Sequence, residues 1–424
     1  MLVEFSVENY KSIKDEVKLS LVASPAKEHR ETHIISPEMS SGLRNISLLR
    51  SSAIFGPNAA GKSNLIRALS TMQKIILRSG GQLDDLPVIP FRFCQGSENK
   101  PTTFELIGII NQMQFQYGFS TTKNLVTDEW LYAWPKGRSQ EWFVRSTSKS
   151  GEVKYKFGGK LTGDKEVWKR ATRPNSLFLS TAMTLNSEQL KPIFEWFSKI
   201  LHVGGIGGWG RDYSTVWCEG DRKKKIVEFM QSADFAIENL RITKKDFNLE
   251  MLSSDIHSDF KNLFVEKLSN AELAELYVSH QTNHGHTVEL SLSDESDGTQ
   301  KIFEFAAPWN DTLENGHVIV YDGLHEHLHP ALHRYLINQF HDKKRNTQNA
   351  QLIFSTHDTS VLSQEILRRD QIWFCERNAK QETELFPLTD FSPRRGFENL
   401  ERSYLGGRYG ALPYLGILQK NLSV

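Results

Sequence analysis

The stretch "SLLRSSAIFGPNAAGKSNLIRALSTMQKIIL", residues 47–77, decides the fold. It runs from a short apolar strand through a glycine-rich turn into a helix, where Leu65, Ile66, Leu69, Met72 and Ile76 recur at helical spacing. The turn, Gly56, Pro57, Asn58, Ala59, Ala60, Gly61, Lys62 and Ser63, matches Gly-x-x-x-x-Gly-Lys-Ser. Each part of that pattern serves phosphate. Glycines let backbone N–H groups curl round phosphate oxygens, and the N-terminus of the following helix adds its positive dipole. Lys62 brings a point charge to the β and γ phosphates, and the Ser63 hydroxyl is placed to ligate Mg²⁺. The bland alternative is an ordinary glycine turn before a helix. The strand before and the helix after, which continues through Asn64, are the context the phosphate motif requires.

Outward from this stretch, "MLVEFSVENY" and "VKLSLVAS" alternate with period two and read as strands. From about residue 102 to 160 the chain is β-rich: "TFELIGIINQMQFQYGFS" and "WFVRSTSKSGEVKYKFG" read as meander strands, and "NSLFLSTAMTL" as one more strand before a turn. From about 187 to 275 the pattern turns helical, as in "SEQLKPIFEWFSKIL" and "SNAELAELYVSH". Thereafter strands and helices alternate: "TVELSL" before "DGTQKIFEFAAPW", "HVIVYD" before "PALHRYLINQF", and "AQLIFST" before "SVLSQEIL". That order predicts an α/β fold, a mostly parallel sheet covered by helices. To it are added a β-rich antiparallel portion and a helical insertion. No sustained heptads occur, so no long coiled coil is expected. The expected division is 1–186, 187–286 and 287–424.

Three more elements carry chemistry. "LSDESDGTQKIFEF" places Ser296, Gly298 and Thr299 at a helix start, a second anion site or simply a capped turn. Asp322 ends the apolar strand "HVIVYD", and His357 follows the buried strand "QLIFST". Between them lies a crowd of histidines, His325, His327 and His329, which poses a rival reading. His-x-His after a strand begins some amidohydrolase-type metal sites, but ligation would also need carboxylates or histidines from other strand ends.

The bulk numbers narrow the classes. Lys plus Arg and Asp plus Glu stand at 51 each, so charge makes no demand for nucleic acid or an anionic membrane and leaves only a local basic patch open. Cys94, Cys218 and Cys375 form no Cys-x-x-Cys, which removes a zinc ribbon and a disulfide framework and fits a cytoplasmic setting. The N-terminus lacks the apolar core of a signal peptide, and no run approaches the ~18 apolar residues of a membrane span. Basic runs at Arg222–Lys225 and Lys244–Lys245 read first as solvated helix faces, and otherwise as phosphate-backbone contacts. Trp196, Trp209 and Trp217 read as core or subunit interface, and Tyr404–Pro413 as a tail packed on the core. The residues after His357 are needed for the last strands and the tail, which leaves no appended nuclease.

In this order the elements resemble the ATP-binding-cassette type of ATPase shared with SMC and RecF-like repair proteins. "FSVENYKSIKDEVKLSL", "FGPNAAGKSN", "DESDGTQKIFE", "LHEHLHPALHRYL", "IFSTHDTSVLS" and "LERSYLGGRYGALP" resemble more closely the AAA ATPases of bacterial abortive-infection and anti-phage modules. Relatives of that kind accompany restriction loci, retrons and Toprim-nuclease pairs. The resemblance implies an ABC-ATPase-like head and ATP with Mg²⁺ as cofactors. It implies a homodimer or higher homo-oligomer of ATP-sandwiched heads, and a separate effector protein, a nuclease, under its control. Gly56 to Ser63 of one subunit would hold the phosphates, and Ser296, Gly298 and Thr299 of the other would cap the γ-phosphate. Asp322 would join Ser63 around Mg²⁺, His357 would sense the γ-phosphate, and Leu328, His329 and Pro330 would lie at the dimer seam. A repair ATPase of the RecF or SMC kind is the alternative.

One position departs from the family. Asp-Glu usually follows the strand; here Asp322 is followed by Gly323. General-base contributions run to ~10²–10⁴ in rate, so intact binding with weak hydrolysis is the expectation. Three accounts of the glycine stand open: a natural residue in a protein that uses ATP as a structural ligand, a substitute carboxylate at Glu326, or a glycine introduced to trap the ATP-bound state.

Overall fold

The computed structural model describes residues 1–40, 46–81, 83–148, 150–204, 211–218, 220–233, 236–246, 272–394, 396 and 398–413. The chain forms two compact units, one of Met1–Gly208, Thr312–Glu326 and His333–Val424, the other of Trp209–Asp311 and His327–Leu332.

The first unit holds two large sheets. One is antiparallel and seven-stranded, in the order β10-β9-β8-β7-β6-β1-β2. Its strands are β1 (Leu2–Glu8), β2 (Val17–Ser20), β6 (Thr102–Ile110), β7 (Met113–Thr121), β8 (Val126–Trp134), β9 (Gln140–Thr147) and β10 (Val153–Phe157). β6 alternates inward and outward along most of its length, as one core-facing side demands. The other sheet is six-stranded, in the order β11-β15-β16-β5-β17-β18. It comprises β5 (Ser51–Phe55), β11 (Leu201–Val203), β15 (Val318–Tyr321), β16 (Gln351–Thr356), β17 (Ile372–Arg377) and β18 (Thr383–Pro387). All its pairings are parallel except β17 with β18. β5, β15 and β16 are buried along their whole length, the mark of parallel strands covered on both faces. A short pair, β3 (Ile34–Ile35) and β4 (Leu48–Leu49), completes this unit.

The helix Lys62–Arg78 joins the sheets through one apolar core. Its Leu65, Leu69, Met72 and Ile76 pack in a cluster with Phe104, Phe115 and Tyr117 of the antiparallel sheet and with Ile54, Val320 and Ile353 of the mixed one. Trp196 is fully buried in the same cluster. The tail also packs as expected: Tyr404 and Tyr409 stack on Phe374, with ring centroids 5.3 and 5.4 Å apart, and the Tyr404 hydroxyl donates to Ala411 O at 2.7 Å.

The second unit contains the helices Arg211–Cys218 and Lys223–Ser232 and a three-stranded antiparallel sheet of β12 (Asn239–Asp246), β13 (Glu272–Gln281) and β14 (Thr287–Ser291). Trp217 is buried, with the Arg222 guanidinium 4.4 Å from its ring centroid. Trp209 lies outside the described residues. The longest helix among the described residues is Asp297–Asn315, 19 residues, so they contain no long coiled coil, and none of their helices is long and apolar enough to cross a membrane.

Four local expectations are corrected. "NSLFLSTAMTL" is a helix, Phe178–Thr184, not a strand, because Glu129 of β8 accepts hydrogen bonds from the first N–H groups of that helix. The described part of "SNAELAELYVSH" is β13, not a helix; its Leu276 and Val278 alternate inward in an antiparallel ladder with β12. Lys244 and Lys245 therefore sit on strand β12 rather than on a helix face. "SVLSQEIL" forms two short turns rather than a helix: Thr359–Val361, whose start is capped by Asp358 accepting from Ser360 N–H, and a second in which Leu367 N–H donates to Ser363 O at 2.9 Å.

Candidate nucleotide site

β5 emerges from the middle of the mixed sheet and stops at Gly56, where the chain turns through Pro57–Gly61 into the helix Lys62–Arg78. Gly61 has φ 116°, and a Cβ there would lie 2.1 Å from Thr383 Oγ1, so the turn can only be closed by glycine. Thr383 needs that space: its hydroxyl donates to Ala60 O at 2.9 Å and lies 2.7 Å from Ser12 Oγ. Asn64 ties the helix to the same Ser12, donating to its hydroxyl at 2.7 Å. No side chain caps the helix at Gly61. Its first-turn N–H groups and its dipole therefore face whatever occupies the loop.

Lys62 is 6% exposed, and its ammonium donates to Gly56 O at 2.7 Å and Pro57 O at 2.9 Å. Burial lowers its pKa to about 8, against the pull of Cys375 and Asp322. The Lys62 Nζ also lies 3.4 Å from His357 Nε2. Burial and the Lys62 charge in turn lower the pKa of His357, so this imidazole is neutral at pH 7, able to donate from one nitrogen and accept at the other.

Asp322 directly follows β15 beside β16, and that neighbouring strand supplies its partner. Ser355 donates its hydroxyl to Asp322 Oδ1 at 2.6 Å and accepts from Gly323 N–H at 2.9 Å. Ser355 thereby fixes the carboxylate and the backbone just after it. The sequence held one signal for this role, a serine near the end of the buried strand next in the sheet to the aspartate strand.

These groups line one cavity of about 320 Å³. The structure brings together Asn58 to Asn64, with Lys62 and Ser63, and across from them Asp322 and His357. Gly56 and Pro57 hold the Lys62 ammonium through their carbonyls. Three lining residues had no nucleotide role in the sequence reading: Arg67, Ser355 and His325. His325 Nδ1 accepts from His357 N–H at 3.4 Å, and burial with the neighbouring His357 and His333 lowers its pKa to about 4. The donor set suits a Mg²⁺–polyphosphate: a lysine and helix N–H groups for phosphate, and hard oxygens from Ser63 and Asp322 for the metal.

In the second unit Ser296 caps the helix Asp297–Asn315. Its Oγ accepts from Thr299 N–H at 3.1 Å and lies 2.8 Å from Thr299 Oγ1. A Cβ at Gly298 would meet only ordinary van der Waals contacts, with His327 O at 3.5 Å and Ser296 Oγ at 3.8 Å. The capped-turn reading is thus realised, and the hydroxyls at the helix start are engaged with one another.

A family model described as "AAA domain, putative AbiEii toxin, Type IV TA system" matches residues 51–363. The chain belongs to this AAA domain family. The match starts at β5 of the AAA domain, ahead of the phosphate loop, and runs beyond His357. A comparison with curated proteins finds no match. Among solved structures the AAA domain is similar to the "SMC head domain from Thermotoga maritima", with 13% identity, 91% of this chain and 98% of that chain covered, and a TM-score of 0.40. It is also similar to an SmcHead bound to the C-winged helix domain of ScpA, with 10% identity, 91% and 96% covered and a TM-score of 0.40. A third is an Smc head domain with an extended coiled coil bound to the C-terminal domain of ScpA derived from Pyrococcus furiosus, with 10% identity, 92% and 97% covered and a TM-score of 0.38. Likeness at this level concerns the fold alone.

Among the described residues the histidines of the crowd do not gather into a three-ligand cluster. His325 faces His357, its ring centroid 5.3 Å away. His327 Nδ1 lies 3.6 Å from Asp297 Oδ2, and His329 Nδ1 accepts from Ala331 N–H at 3.2 Å at the start of the helix Pro330–His341. Each imidazole has its own neighbour.

Proposed function

We propose that this AAA domain binds and hydrolyses ATP with Mg²⁺. It acts as the sensor and scaffold component of an anti-phage defence complex, in which ATP-dependent pairing of two copies restrains or releases a separate toxic effector, a nuclease. The observation that carries the nucleotide part is the single cavity uniting Lys62, Ser63, Asp322 and His357 around a glycine turn. Mg²⁺ would be held by Ser63 and Asp322 and would neutralise charge on the phosphate oxygens. Lys62 would add a second positive charge there, and neutral His357, beside Lys62, would offer a hydrogen bond to the γ-phosphate. In this reading residues 1–186 and 287–424 form the nucleotide-handling head, and 187–286 adapt it to its partner. Ser296, Gly298 and Thr299 of one copy meet the γ-phosphate held by the other, with Leu328–Pro330 at the seam. The family description, which names a putative toxin and a type IV TA system, supports the defence role. The expected weakness of hydrolysis rests on Gly323 alone.

Calorimetry tests the nucleotide part. Lys62→Ala should lower ATP affinity at least tenfold, about 1.4 kcal/mol, and sedimentation of the unmodified protein should show a larger species with ATP and Mg²⁺ than without. Unchanged affinity in Lys62→Ala removes the phosphate loop from the argument. A sedimentation profile indifferent to ATP removes the pairing.

A further inference from the structure

The cavity contains two carboxylates, and only one belongs to the metal side. Asp322 is held by the Ser355 hydroxyl at 2.6 Å. The other is Glu326, which reaches the cavity by an indirect route. Gly323 adopts φ 75°, and Glu326 N–H donates back to Gly323 O at 3.0 Å, closing a four-residue turn. That turn folds the Glu326 side chain over residue 323. A Cβ built on Gly323 would lie 2.5 Å from Glu326 Oε1, 2.8 Å from Cδ and 3.2 Å from Cγ. The carboxylate of residue 326 thus occupies the space into which a side chain at 323 would project.

We propose that Glu326 is the general base of ATP hydrolysis in this chain. The proposal rests on reading the cavity as an ATP site. Hydrolysis needs a group that orients water and takes its proton. The other titratable groups lining the cavity have other ties: Lys62 is held by the loop carbonyls, His357 lies against Lys62, His325 accepts from the His357 backbone, and Arg67 is cationic and donates to Asn64 Oδ1 at 3.4 Å. Glu326 is an exposed carboxylate at the cavity's edge. In the step, the water oxygen bonds to the γ-phosphorus while Glu326 takes its proton. The bond from that phosphorus to the β–γ bridging oxygen breaks, and ADP leaves with the electron pair. Glu326 then gives its proton to solvent. Water and ATP become ADP, inorganic phosphate and a proton.

The test is single-turnover hydrolysis of radiolabelled ATP in the full chain, with ATP affinity by calorimetry and assembly by sedimentation measured in parallel. Glu326→Gln should slow the chemical step by about 10²–10⁴-fold while leaving ATP affinity and the ATP-bound assembly unchanged. Gly323→Glu combined with Glu326→Ala, which empties that volume, should recover at least about tenfold over Glu326→Ala alone, because the new carboxylate enters the space that Glu326 filled. A Glu326→Gln protein that hydrolyses as fast as the unmodified chain overturns the proposal, as does a slow one whose ATP affinity has fallen in step. An unmodified chain that binds ATP but turns over no faster than Glu326→Gln also overturns it, while the ATP site stands. If the unmodified chain binds no ATP, the site itself is misread and the base falls with it.

Discussion

Replacing Glu129 with alanine should destabilise the head far from the chemistry. Glu129 is 0% exposed in the seven-stranded sheet. Its Oε2 accepts from Phe178 N–H at 2.6 Å, and its Oε1 accepts from Leu179 N–H at 3.0 Å and from the Tyr117 hydroxyl at 3.0 Å. Arg145, itself 1% exposed, places Nη1 3.7 Å from Oε2. Removal strands two backbone donors, at about 1–3 kcal/mol each, and leaves the buried guanidinium without its counter-charge, a loss of about 3–5 kcal/mol. These terms share atoms and do not add, so the combined loss is about 3–5 kcal/mol. A unit of roughly 300 residues shifts its melting midpoint by about 1.6 °C per kcal/mol, so the midpoint should fall by roughly 5–8 °C. The damage should reach the site, because the capped helix Phe178–Thr184 is tied to the phosphate-loop helix through Ser180, whose hydroxyl donates to Ile76 O at 2.6 Å. Thermal and urea melts of Glu129→Ala and Glu129→Gln measure this, the amide variant retaining one acceptor and losing less. A Glu129→Ala protein within about 1 kcal/mol of the unmodified chain would refute the network as a source of stability.

Other outcomes follow from single contacts. Ser355→Ala frees Asp322 Oδ1 and Gly323 N–H, and by calorimetry it should weaken Mg²⁺-dependent ATP binding by about 1–2 kcal/mol; equal affinity would detach Ser355 from the site. Gly323→Ala forces a side chain into φ 75° and should lower stability by about 1–2 kcal/mol, read by urea denaturation; an unshifted midpoint contradicts the left-handed turn. Burial opposes ionisation of Asp358, but hydrogen bonds from His333 and Ser360 outweigh it and hold its carboxyl well below the usual range. A depressed carboxyl stabilises above its unfolded value, ~3.9, and loses that contribution as pH falls below it. Asp358→Asn should therefore be less stable than the unmodified chain at pH 7, with the gap narrowing below about pH 4; a gap independent of pH in urea melts contradicts the shift. Ser296→Ala removes a helix cap, and thermal melting should register a loss of about 0.5–2 kcal/mol.

What could be read in the sequence was local and periodic. The phosphate loop declared itself because glycine at 61, lysine at 62 and serine at 63 are each required by phosphate geometry, and Leu65, Leu69, Met72 and Ile76 announced the helix that follows. β5, β15 and β16 showed as apolar runs because parallel strands are buried on both faces. Two of the misreadings share one physical cause, a partner distant in sequence. "NSLFLSTAMTL" alternates like a strand, but Glu129, some fifty residues earlier, caps it into a helix. "SNAELAELYVSH" has helix-forming residues, but the ladder to β12 holds its described part extended. Glu326 belongs to the same class of problem at the scale of the site. Spacing alone gives no reason for a residue three positions beyond Gly323 to return to the cavity. The left-handed turn at 323 supplies the reason, and a turn that needs positive φ selects glycine. In this chain the residue that removes a carboxylate from position 323 is also the one that lets the backbone bring another into the same space.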